Sequence, residues 1–145
     1  MAAEFGYVDS QTLQINASAL LEDVRPCKRR PQLVMHDNMT PNIILRGSGR
    51  NNMNAQYNVR FSGNIAVAAG GTVGEIDLAL SVDGYVLPLT VAAATPAAIG
   101  DRWHVSGDAT IEVPSCCCKT VTVVNASADT AIAVTNLGVE VSRLA

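Results

Sequence analysis

Arg102-Trp103-His104-Val105-Ser106-Gly107-Asp108-Ala109-Thr110-Ile111-Glu112-Val113 alternates without a break. Odd positions carry Trp, Val, Gly, Ala, Ile and Val; even positions carry Arg, His, Ser, Asp, Thr and Glu. A period of two sustained over this length marks a strand with one dry face and one wet face. Gln56 to Ala68 repeats the pattern. Tyr57, Val59, Phe61, Gly63, Ile65 and Val67 fall on one side, and Gln56, Asn58, Arg60, Ser62 and Asn64 on the other. Two long one-faced strands imply an antiparallel sheet packed on a second sheet.

Outward from these runs the chain reads as strands and turns. Val73 to Val82 sets Ile76, Leu78, Leu80 and Val82 on one face and stops at Asp83-Gly84. Asp-Gly between two alternating runs predicts a tight hairpin of the type I′ kind. Tyr85 to Ala93 reads as the return strand, with Leu87, Leu89 and Val91 in phase. Cys117 to Asn125 is another strand, and Ala131 to Leu144 closes the chain. In that last run Ile132 and Val134 are even but Leu137, Val139 and Val141 are odd, so a bulge or bend is expected near Asn136–Gly138. Earlier signals are weaker. The opening is irregular; Thr12 to Asn16, Gln32 to Met39 and Asn42 to Arg46 are short strand candidates. Ser18 to Val24 supports at most one helical turn before Pro26. The expectation is an all-β antiparallel sandwich of roughly 8–10 strands. Residues 1–53 read as an irregular basic N-terminal segment, and 54–145 as the body.

At 145 residues the chain is one domain by size and long enough to bury a core. Aromatics make only 4% of it, so that core is built from Val, Ile, Leu and Ala. Charged residues reach only 16%, less than a small monomer usually wears, which suggests surface covered by other subunits. Charge is also unevenly spread. Residues 25–60 hold Arg25, Lys28, Arg29, Arg30, Arg46, Arg50 and Arg60 against Asp37 alone, while the rest is acidic. Arg25, Lys28, Arg29, Arg30, Arg46 and Arg50 are the candidate partner-docking residues. Neither a recognition helix nor interleaved aromatics accompanies them, so nucleic acid is not the expected partner. No apolar run approaches the ~18 residues of a membrane span, and the first residues lack a signal-peptide pattern, so no membrane partner is expected and synthesis in the cytoplasm is.

Cys116, Cys117 and Cys118 are consecutive, and Cys27 stands apart. No second Cys or His pair lies at zinc spacing, so no metal and no cofactor are expected; small apolar packing plus one turn residue is the reading of the triplet. Cys27 is free to pair with one of the three, or not. A cysteine nucleophile with His104 and Asp101 or Asp108 lacks any supporting elbow or oxyanion sequence, so an enzyme is not expected and no catalytic residue is assigned. Asn16, Asn38 and Asn125 match glycosylation sequons, read as chance matches in an Asn-rich chain.

Asn64-Ile65-Ala66-Val67, Gly70-Gly71-Thr72-Val73-Gly74, Ile76 to Gly84, Thr95-Pro96-Ala97-Ala98, Val121 to Ser127 and the closing Asn136 to Leu144 together resemble jelly-roll domains of the tumour-necrosis-factor and complement type. They resemble the head of the collagen-like spore-surface glycoprotein, and more closely the small stand-alone versions carried by phages and prophages of gut clostridia. The resemblance covers roughly residues 54–145 and rests on turn and strand patterns. There is no collagen-like stalk, and the basic first third has no counterpart in the spore protein. The resemblance implies a compact homotrimer without cofactor: a virion structural protein of the capsid-decoration or head-fibre type, on the capsid surface. Its implied partners are the major capsid protein or neighbouring virion subunits. The rival readings are a fibre tip binding a host surface glycan or receptor, and a spore or cell-surface layer protein. With the low charge and apolar strand faces, Tyr57, Val59, Phe61, Ala131, Ala133 and Val134 are the candidate trimer-interface residues.

Overall fold

The computed structural model describes residues 2–25, 33–47 and 53–144, and of Ala2 and Arg25 the main chain alone. Among them run twelve strands: β1 (Ala2–Tyr7), β2 (Gln11–Leu13), β3 (Glu22–Arg25), β4 (Val34–His36), β5 (Ile43–Arg46) and β6 (Ala55–Val67), then β7 (Ile76–Val82), β8 (Tyr85–Val86), β9 (Ala92–Ala94), β10 (Trp103–Val113), β11 (Cys118–Asn125) and β12 (Ile132–Arg143). They form two antiparallel sheets. The first has the order β10-β6-β12-β1-β3, with β2 on the same flank of β12 as β1. The second has the order β4-β5-β11-β7-β8, with β9 also on β7. This is a jelly-roll β-sandwich.

The two long alternating runs, Gln56–Ala68 and Arg102–Val113, are neighbours. β10 pairs with β6 in unbroken register from Trp103↔Ile65 to Val113↔Ala55. Their dry faces meet Leu78, Leu80, Val121 and Val123 of the other sheet in one core. The phase slip in β12 is a bulge: its register with β6 shifts between Thr135 and Gly138, and Asn136 takes φ 51°. The Asp83-Gly84 hairpin has positive φ at both residues, 51° and 89°, as a type I′ turn requires.

Three expectations change. The irregular opening is β1, held between β12 and β3 by partners at the opposite end of the chain. Ser18 to Val24 forms no helical turn: Ala19 donates to Val123 O at 2.8 Å, extending the second sheet past the end of β5. The run Tyr85 to Ala93 is not one strand. Pro88 has no N–H for the ladder, and Pro88–Thr90 forms a 3-10 turn instead, which leaves Leu89 fully exposed. Strands β1–β5 and strands β6–β12 thus share both sheets.

Candidate interaction surface

The interface candidates divide by burial. Tyr57, Val59, Phe61 and Val134 have no exposed surface, because the inward side of each strand fills the space between the sheets. A second copy cannot reach them, which corrects their assignment to an interface. Tyr57 also donates its hydroxyl to the carbonyl of Arg46 at 2.5 Å, tying β6 to β5 across the sandwich. Ala131 and Ala133 remain half-buried at the start of β12. Among the docking candidates, Arg46 is exposed at the end of β5 and Arg25 closes β3. Lys28, Arg29, Arg30 and Arg50 lie outside the described residues.

The cysteine triplet is not packing. Cys116, Cys117 and Cys118 are free thiols, all exposed. The N–H of Cys117 bonds Pro114 O at 3.1 Å, closing a four-residue turn whose third residue, Cys116, has φ 62°. That left-handed position favours Gly or Asn. Strand patterning allowed the turn only one of the three cysteines and placed the others inside, because it began β11 at Cys117, one residue early.

The other singled-out groups are held locally. His104 Nδ1 lies 3.2 Å from Asn64 Oδ1, and Trp103 donates to Asp101 at 3.4 Å. Asn58 donates to Asp108 at 3.5 Å. Among the described residues no three His, Cys, Asp or Glu side chains converge as a metal site. Asn125 is fully enclosed, its amide donating to the carbonyls of Leu13 and Thr130, so its sequon is inaccessible. Two features were not foreseen. His36 is enclosed between Asp23 Oδ1 at 2.5 Å and Thr40 O at 2.8 Å, with Phe5 against its ring. Asp77, on β7, has its carboxyl pushed above the usual range by burial and then by the neighbouring Glu75. Its Oδ1 is enclosed without a hydrogen-bond partner.

One concavity lies on the outer face of the first sheet. Register brings Gly6 of β1, Gly138 of β12 and Ser62 of β6 side by side. Three small residues in one row hollow the face into a groove of about 310 Å³. Val8 and Val24 border it and are 75% and 60% exposed. The next row across the sheet is Glu4, Glu140 and Arg60, and Glu22 faces Gly6 from β3. The groove is therefore apolar along its walls and mainly acidic at its rim. Sequence alone could not find it, since the hollow depends on the register of strands far apart in the chain.

No family model matches the sequence, and no curated protein matches it. Solved structures do match its fold. The Eiger TNF structure from S. frugiperda aligns with a TM-score of 0.71 at 12% identity, over 100% of this chain and 92% of that one. Murine APRIL aligns with a TM-score of 0.64 at 9% identity, over 99% and 100%. The globular domain of zebrafish complement 1qA protein aligns with a TM-score of 0.55 at 12% identity, over 95% and 94%. The chain is thus similar in fold to jelly-roll domains of the tumour-necrosis-factor and complement type. That similarity runs through the first 53 residues as well as the body.

Proposed function

We propose that the chain is a non-enzymatic homotrimeric module of a virion surface, a capsid decoration or head-fibre type protein without cofactor. The observation that carries the assembly reading is apolar surface left outside a complete core. Leu89 is fully exposed, Tyr85 78%, Val8 75% and Val24 60%, although residues of both sheets already form one buried core between them. Val8 and Val24 gather at one groove, and apolar surface brought together in this way marks an interaction site; a stable obligate contact covers more than ~2,000 Å². The virion assignment is supported by the sequence likeness to stand-alone phage modules. On this reading the partners are two further copies and the major capsid protein or neighbouring virion subunits. The protein is made in the host cytoplasm and works at the capsid surface. Immunogold labelling of particles tests the location: label on the capsid surface supports it, and label only on unassembled protein or cell envelopes contradicts it.

One observation favours a second reading, a fibre tip binding a host glycan. Trp103 is half-exposed beside Asp101, an aromatic face next to a carboxylate of the kind that holds a sugar ring. Titration with host surface saccharides tests this reading. Binding lost in Trp103→Ala supports it, and no heat of binding in the wild type contradicts it.

A further inference from the structure

The chain is acidic overall, with a formal net charge of −3, yet it carries Lys28-Arg29-Arg30 in one run. On the outer face of the first sheet it also carries the groove hollowed at Gly6, Ser62 and Gly138. Val8 and Val24 leave apolar surface along this groove; Glu22 and Glu140 stand exposed at its rim, with Arg60 beside Glu140 as the one base among the lining residues. A long basic side chain fits such a place in two ways at once. Its methylene stem covers apolar wall while its charged head reaches a carboxylate.

We infer that this groove receives the Lys28-Arg29-Arg30 segment of a second copy of the chain. The inference rests on the trimer reading above and gives it a contact. Two different patches that fit each other, groove and basic segment, make a head-to-tail contact rather than a self-complementary one. Head-to-tail contacts are the kind that close into a ring of three. Exposed charge pairs of this sort set partner choice and make association sensitive to salt.

The test is sedimentation equilibrium at micromolar concentration, with circular dichroism melts to verify that each variant is folded. Wild type should be trimeric, with dissociation rising steeply with salt. Glu22→Lys with Glu140→Lys should raise the dissociation constant at least tenfold, and Arg29→Glu with Arg30→Glu should do the same. All four changes in one chain should restore most of the loss, which a merely structural role for either patch would not do. Glu22→Gln with Glu140→Gln gives a milder pair should the reversals unfold, and should still weaken the trimer. A wild-type trimer unaffected by either reversal, or damaged by both without rescue, overturns the inference and leaves the trimer reading standing. A monomeric wild type overturns both.

Discussion

Asp77 is the residue whose chemistry is most at odds with its surroundings. Its carboxyl is raised by burial and by Glu75, two positions earlier in the chain. A group raised on folding contributes stability that is fully present below its unfolded pKa and lost as pH rises through its folded value. At neutral pH the partly buried carboxylate therefore weakens the fold. Asp77→Asn should raise the melting temperature at pH 7, with the gain vanishing below the ordinary carboxylate range; thermal melts across pH check this. Asn125 is the opposite case. Its amide donates to Leu13 and Thr130 carbonyls, and its oxygen accepts the Ser127 N–H at 2.9 Å. Asn125→Ala would leave several enclosed backbone groups unpaired and should cost about 3 kcal/mol in chemical denaturation. The alternation patterns flagged neither residue: Asp77 falls on the outward side of β7, and Asn125 is a polar residue at the end of an apolar strand.

At the scale of the element, the long strands were legible because one-faced alternation is a local signal. β6 follows it nearly residue by residue; β10 buries Val105, Ile111 and Val113 but leaves Trp103 exposed, and the β12 bulge was visible as a change of phase at Asn136. β1 was harder to read. Ala3 and Phe5 do alternate inward, but the run is short and its partners are β3 and β12, the latter at the far end of the chain. Around Leu89 the periodicity was real but irrelevant, since Pro88 had already ended the ladder. A turn residue in the cysteine triplet was legible; that all three thiols stay exposed was not, because small apolar residues in a row look like buried strand. The left-handed φ of 62° at Cys116 predicts that Cys116→Gly leaves stability unchanged or raises it by up to about 1 kcal/mol. Cys116→Val should lower it by more than about 1 kcal/mol; urea midpoints distinguish the two. Because all three thiols are exposed, an aromatic disulfide reagent should modify Cys116, Cys117 and Cys118 in the folded protein.

Across the whole molecule, the core and the surface carry separate claims. Val59 is fully enclosed on β6 and faces the second sheet. Val59→Asp should therefore abolish the fold itself, with circular dichroism reporting loss of structure rather than folded monomer. Composition pointed to assembly through low charge. The strand pattern pointed to Tyr57, Val59, Phe61 and Val134 for it, and these are enclosed because the most regular apolar faces are those one chain buries against itself. The surface left for a partner comes from Val8, Val24, Tyr85 and Leu89, scattered at strand ends and turns where no period marks them. Trimeric assembly is the claim on which the functional reading turns, and sedimentation equilibrium of the purified wild-type protein at micromolar concentration tests it most directly. The account predicts a mass about three times the 15.2 kDa of one chain. A single species at the mass of one chain would contradict it.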